Sequence, residues 1–430
     1  MKNIRTYTLF FILFLNSISP LYAQDFWETL PFPDSLIITC IAVNAQGDIF
    51  VGTNTMDIAD GIFRSQDEGQ TWQLVLAMEA FGVGSIAIND QGEIFIAAYL
   101  TSHPLWKSSD NGQNWEALSL PNFGDNVKIV SQGNDTLFVS QWANNGAVLL
   151  RSTNGGIDWE SVFTTENHPG EYISDIAISG NGDVYISLMC FFPNMGGVYK
   201  STDNGTNWEY VALVNHQVKD IEINALGDVF IGVYCDFDIG GGGIYALYHD
   251  STEIHECLFG PLINGLTINS ANDIYAGCGM PSGIIRSLDN GYSFDFINNG
   301  LPIGPIGKLE KDSQDYIYAL SDAPSNRIFR TIEPTVTSIS VYFNQVSYKQ
   351  LKIIPNPVND MLHGLLPLSE VCNGKHLLTL TEPAGKTLLH KSIDVKENWF
   401  QINVSSLKPG VYFITVNDEK FNYYGKFIKL

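Results

Sequence analysis

The chain has 430 residues and a formal net charge of −23, from 46 acidic against 23 basic side chains. That balance repels phosphate backbones and anionic membrane surfaces, so it argues against a nucleic-acid partner. Charged residues make up only 16% of the chain beside 39 glycines and 12% aromatics, which suits an all-β protein rich in turns.

Residues 1–23 read as a signal peptide. Lys2 and Arg5 precede an apolar run from Leu9 to Leu15, and Leu21-Tyr22-Ala23 offers a small-residue cleavage site before Gln24. The run is too short to span a bilayer, and no later stretch approaches about 18 unbroken apolar residues. Export of a mature chain without a transmembrane segment is the expectation.

From residue 24 onward one unit recurs. Its first signal is a strand opened by Gly-Asp or a relative, as in Gly47-Asp48-Ile49-Phe50-Val51 and Gly182-Asp183-Val184-Tyr185-Ile186. The aromatic of this strand falls at 50, 95, 138, 185, 230, 275 and 318, in steps of 43 to 47 residues. Its second signal is an eight-residue turn, Ser65-Gln66-Asp67-Glu68-Gly69-Gln70-Thr71-Trp72. Further copies start at Ser108, Ser152, Ser201 and Ser287. Each unit reads as four short strands. The innermost, such as Ile41-Ala42-Val43 and Ile176-Ala177-Ile178, show little alternation and are expected to be buried on both faces. Seven four-stranded units arranged radially make a seven-bladed β-propeller over residues 24–334.

The seventh unit stops at Ile328-Phe329-Arg330-Thr331 and lacks a fourth strand. Trp27-Glu28-Thr29-Leu30 matches the fourth strands that begin at Trp115 and Trp208. The N-terminal segment is therefore expected to supply the missing strand and clasp the ring.

The turns resemble the Asp-box (BNR) repeat, Ser-x-Asp-x-Gly-x-x-Trp, found in sialidases, sortilin-type receptors, some glucanases and many proteins without enzymatic activity. The resemblance implies a propeller, and it implies a scaffolding role for Asp67, Asp110, Asn154, Asp203 and Asp289. The carboxylate or amide accepts backbone N–H bonds within its own turn, and glycine supplies positive φ.

No catalytic constellation emerges. Sialidase chemistry needs three arginines converging on one carboxylate. Of the five arginines after the leader, Arg64, Arg151, Arg286 and Arg330 share one blade position at the rim opposite the usual binding face, leaving Arg327. Asp175 and Asp220 begin equivalent inner strands of adjacent blades and would be the carboxyl pair of a polysaccharide hydrolase. Asp236 and Asp238 precede a four-glycine run and offer a sparse metal-ligand set; no metal or other cofactor is expected. Cys190 and Cys235, at matching places in neighbouring blades, read as buried free thiols, with a disulfide between them as the alternative.

Four residues past each repeated aromatic, where the second strand emerges on the top face, stand Asn54, Tyr99, Trp142, Met189, Tyr234, Gly279 and Asp322. Tyr99, Trp142, Tyr234 and Asp322 are the candidate ligand-binding residues. Trp142 and Tyr99 are expected to be exposed, and Phe191, Phe192 and Phe237 to pack between blades or against the long loops of blades 4 and 5. Aromatics around a channel mouth suit stacking on sugar faces or anchoring a protein. A glycan- or protein-binding module is the leading reading, ahead of a polysaccharide hydrolase and a structural scaffold of an outer-surface assembly.

After Pro334 the period is lost. Residues 335–350 read as a linker and residues 351–430 as a small Ig-like sandwich. Ile354-Pro355-Asn356-Pro357, Gly410-Val411-Tyr412 and the closing Gly425-Lys426-Phe427-Ile428-Lys429-Leu430 resemble the C-terminal sorting domain of type IX secretion substrates. That resemblance implies recognition by the type IX machinery, then release or attachment at the surface of a Gram-negative bacterium.

Overall fold

The computed structural model describes residues 25–429 except 34, 55–60, 79–81, 100–104, 122–123, 144–145, 166–167, 169, 192–195, 237–239, 303, 322–326, 337–347, 355–357, 367–373, 382–386 and 418–421. The expected signal peptide, Asp238, Phe192, Phe237, Asp322 and Cys372 lie outside the described residues, as does the Asp236 side chain. The chain divides into two units, residues 1–336 and 337–430.

The first unit is an all-β propeller of seven four-stranded sheets. Blade 1 runs Ile38–Val43, Ile49–Thr53, Gly61–Ser65 and Gln73–Ala77 from the axis outward. Blades 2 to 6 repeat the order, starting at Val83, Gly124, Tyr172, His216 and Ile263. Blade 7 takes three strands from Ile306–Lys311, Ile317–Ser321 and Ile328–Thr331, and its outer strand is Trp27–Leu30. Trp27 pairs with Thr331 and Leu30 with Ile328. The second strands are buried through their middles because neighbouring blades cover both faces; Phe50, Phe95, Phe138, Phe230 and Tyr275 are closed to solvent.

Every inner strand shifts register near its start, between Ile38 and Cys40, Val83 and Ser85, Asn126 and Lys128, Ile173 and Asp175, Val218 and Asp220, Ile263 and Gly265, and Ile306 and Leu309. A bulge re-aims one side chain and kinks its strand. Here several bulged side chains reach the next blade. Thr39 donates to Val83 O at 2.6 Å, Ser174 to Val218 O at 2.7 Å and Asn264 to Ile306 O at 3.0 Å.

The eight-residue turns lie at the opposite end. Asp67 accepts Thr71 N at 2.8 Å, and Ser65 Oγ accepts Gly69 N at 2.8 Å; Asp110, Asn154, Asp203 and Asp289 accept the equivalent amides. These hydrogen bonds hold the carboxyls of Asp110 and Asp203 down at about 2. The fourth turn residue has positive φ, 60° at Asn111 and 57° at Asn290. Its amide then reaches back one blade: Asn111 Nδ2 donates to Asp48 Oδ2 at 2.6 Å, and Asn290 Nδ2 to Asp228 Oδ2 at 2.8 Å. The two recurring sequence signals are thus the two sides of one inter-blade joint.

The second unit has a five-stranded and a three-stranded sheet. Its first strand is Tyr348–Gln350, parallel to Asn422–Lys429, so it starts upstream of the expected boundary at Leu351. Thr335 belongs to the propeller, donating to Asp315 O at 2.8 Å, rather than to a linker.

Candidate functional site

The bulges build a polar cavity of about 260 Å³ at the top of the axial channel, lined by Thr39, Ser174, Lys219, Asn264 and Lys308 with Lys128, Asp175 and Asp220 beneath. Asp175 and Asp220 meet here as expected from their equivalent positions. Asp175 pairs with the Lys128 ammonium and accepts Ile221 N at 3.1 Å; Asp220 accepts Leu266 N at 2.9 Å. The two carboxyls are near enough for each to shift the other's pKa. Burial raises both, but at Asp175 the Lys128 charge prevails and holds the carboxyl at about 2. At Asp220 burial and the Asp175 charge push the pKa well above the ordinary carboxylate range, so this carboxyl keeps its proton. Burial works against the Lys128 charge, yet the carboxylates around it raise its pKa.

Asp175 and Asp220 both cap the amide of the next inner strand, one blade on. Lower in the channel Glu222 is pushed up to about 8 by burial, then by the charges of Asp175 and Glu310.

Beside the mouth stands an aromatic shelf. Tyr172 opens the inner strand that carries Ser174 and Asp175 and pairs with Met189. Trp142 lies 5.6 Å from Tyr172 and 6.3 Å from Phe191, and Tyr172 lies 6.1 Å from Phe191, with interplanar angles of 41–42°. Trp142 is 41% exposed, Phe191 50% and Tyr234 of blade 5 38%.

Trp142 is a surface residue, as the sequence suggested, and Tyr234 is another. Phe191 meets Trp142 of the neighbouring blade, yet it stays half exposed because it lies two residues past the end of its strand at Met189. Tyr99 corrects the expectation of exposure: it is half-buried, and burial with nearby Tyr172 and Asp125 pushes its hydroxyl up to about 12. Met189 is buried, so among the described positions of that ring the exposed aromatics of blades 3 and 5 are interrupted at blade 4. Sequence reasoning missed Tyr172; its signal was an aromatic two residues ahead of a bulged serine. Cys190 and Cys235 form no disulfide, and the Cys190 thiol is pushed up to about 12 by burial. Among the described residues no group of three or more His, Cys, Asp or Glu side chains could hold a metal ion.

Comparison with known proteins assigns the C-terminal unit. Residues 352–430 match the family described as the secretion system C-terminal sorting domain. The chain carries a type IX sorting domain. It is exported by that route, to be secreted or held at the cell surface. The sorting domain is built round Val358, Leu362, Tyr412, Ile414 and Phe427, all buried. Among the described residues no helix is long and apolar enough to cross a membrane.

The propeller is similar to the xyloglucanase Xgh74A of Acetivibrio thermocellus, 25% identical over 195 residues that cover 35% of this chain and 23% of that enzyme. The match thus spans less than a quarter of that relative. In structure it is similar to YCF48 bound to a D1 peptide, with TM-score 0.55 and 17% identity over 72% of this chain and 97% of that one. The GH74 xyloglucanase of Xanthomonas campestris has TM-score 0.53 and 12% identity, covering 93% of this chain and 68% of its own. At such identities the structural likeness is one of fold.

Proposed function

We propose that the exported propeller is a glycan-binding module that seats a polysaccharide chain across Trp142, Tyr172 and Phe191. The observation that carries this reading is the exposure of two large aromatic rings, tilted toward one another, next to a cavity rich in ammonium, amide and hydroxyl donors. Aromatic faces stack on the apolar faces of sugars, and convergent polar groups orient the hydroxyls. The xyloglucanase relatives favour a β-linked glucan. In this reading the eight-residue turns are Asp-box (BNR) turns that serve the scaffold, and residues 1–23 are the signal peptide.

Calorimetry of the purified chain against xyloglucan and cello-oligosaccharides tests it. Trp142→Ala and Phe191→Ala should each weaken binding about tenfold while leaving the melt unchanged. Wild-type affinity in both variants would remove the shelf from the site. The hydrolase reading, with Asp220 as acid and Asp175 as carboxylate, is favoured by their divergent pKa values. Glucan cleavage that vanishes in Asp220→Asn would install it. A scaffold role predicts no glycan binding at all.

A further inference from the structure

The joints between blades at the turn end are closed in a shared way, and one is not. Asn44 and Asn224 each donate their amide to the asparagine of the next blade's turn, at 2.8 Å to Asn111 and 3.0 Å to Asn290. Between blades 6 and 7, where the eight-residue turn is missing, Thr335 takes that place and accepts from Asn269 at 3.1 Å. Between blades 3 and 4 Arg151 donates to Asn204 O, and between 7 and 1 Arg330 donates to Glu68 at 3.0 Å. Between blades 2 and 3 Asn89 donates to Asn134 O at 3.0 Å.

Between blades 4 and 5, among the described residues, no bond crosses the joint there, and the only amide that Asp183 Oδ2 takes is that of Asn181 in its own turn, at 3.3 Å. Blade 5 has Tyr248-His249-Asp250-Ser251 there, and His249 Nδ1 turns to Asp228 of its own blade at 2.7 Å. On blade 4 the equivalent of Asn44 is Ser179, whose hydroxyl bonds Asp183 O within its own turn at 3.1 Å. The result is a cavity of about 440 Å³ walled by Asn181, Asp183, Tyr185 and Lys200 on one side and by Leu226 and His249 on the other. Asp183 binds Lys200 at 2.9 Å as Asp48 binds Arg64 at 2.7 Å. Asp48 Oδ2 takes the Asn111 amide as well, so a carboxylate already paired with its basic neighbour still accepts a carboxamide.

We propose that this cavity is a docking site for an Asn-Gly turn of a partner polypeptide. The asparagine amide donates to Asp183 Oδ2, and the turn's carbonyl accepts from Lys200, as Asn204 O does from Arg151. The missing turn of blade 5 is thereby supplied in trans. The probe is a cyclised peptide with the sequence of residues 108–115, cyclised so that little ordering entropy opposes binding. The full chain should bind it saturably. Affinity should fall at least tenfold when the peptide's asparagine equivalent to Asn111 is replaced by alanine, and equally in Asp183→Asn. A second variant does not touch the Asp183 ion pair: Gly180 lines the cavity and a Cβ there meets no atom within 4 Å, so Gly180→Phe adds a ring at the mouth and should abolish binding while the melt stays that of the parent. Absence of binding to the wild-type chain, or binding indifferent to Asp183→Asn and Gly180→Phe, would overturn the proposal.

Discussion

Arg330 in the last blade grips Glu28 in the first ordered strand through Nε at 3.0 Å and Nη2 at 2.7 Å. The same guanidinium reaches Glu68 in the turn of blade 1 at 3.0 Å, so one side chain ties the clasp strand to both blades that flank the closure. The apolar half of the clasp is Trp27, 1% exposed, with its indole N–H on Ile297 O at 2.7 Å.

The indole should therefore matter more than the ion pair. Trp27→Ala is expected to cost about 3–5 kcal/mol through the lost burial and cavity. Glu28→Gln changes a partly exposed carboxylate and should cost under about 1 kcal/mol. Urea unfolding of the two variants checks the order. Equal losses would mean that charge, rather than packing, closes the ring.

How far this was legible follows from the physics of repetition. The turn chemistry must recur wherever the joint recurs, so seven blades could be counted from Phe50 to Tyr318, and the match of Trp27-Glu28 to Trp115-Glu116 exposed the clasp. The bulges at Thr39, Ser174 and Asn264 carry no local signature, because their partners are carbonyls on the next blade. The opposed pKa shifts of Asp175 and Asp220 arise only once adjacent inner strands are brought side by side. The exposure of Phe191 and the half-burial of Tyr99 depend on loop paths, which period and composition do not encode.

Asp175 and Asp220 should respond oppositely to the same substitution. Asp220 already carries a proton, and an amide there can still donate to Asp175 and accept Leu266 N–H. Asp220→Asn should stay within about 1 kcal/mol of the parent. Asp175→Asn strips the Lys128 ammonium of its buried partner and should cost about 3–5 kcal/mol. Denaturant titrations at neutral pH distinguish them; the reverse order would place the proton on Asp175.

Glu222 predicts a slope in stability against pH. Its folded carboxyl titrates at about 8, whereas an unfolded glutamate titrates near ~4.3. Between those values the folded chain holds a proton the unfolded chain has shed, so stability falls as pH rises from about 4 to about 8. Glu222→Gln stays neutral throughout. It should match the parent near pH ~4 and exceed it by on the order of 1–3 kcal/mol near pH ~8. Melting curves that run parallel over this range would show that the carboxyl is already ionised in the channel.

The sorting domain should be read as a folded object. Phe427 is fully buried and stacks on Tyr412 at 5.6 Å and 28°. Removing its ring costs about 3–5 kcal/mol, which is comparable to the whole stability of a small domain. Phe427→Ala is therefore expected to leave the protein inside the cell envelope, as seen by fractionation and protease accessibility of intact cells. Tyr412→Phe keeps the stack and loses only the hydroxyl's hydrogen bond to Lys408 O at 2.8 Å, a change of about 1 kcal/mol, and should be exported as the parent is. Undiminished export of Phe427→Ala would mean that the machinery reads the terminal strand as a linear segment, independent of the sheet that holds it.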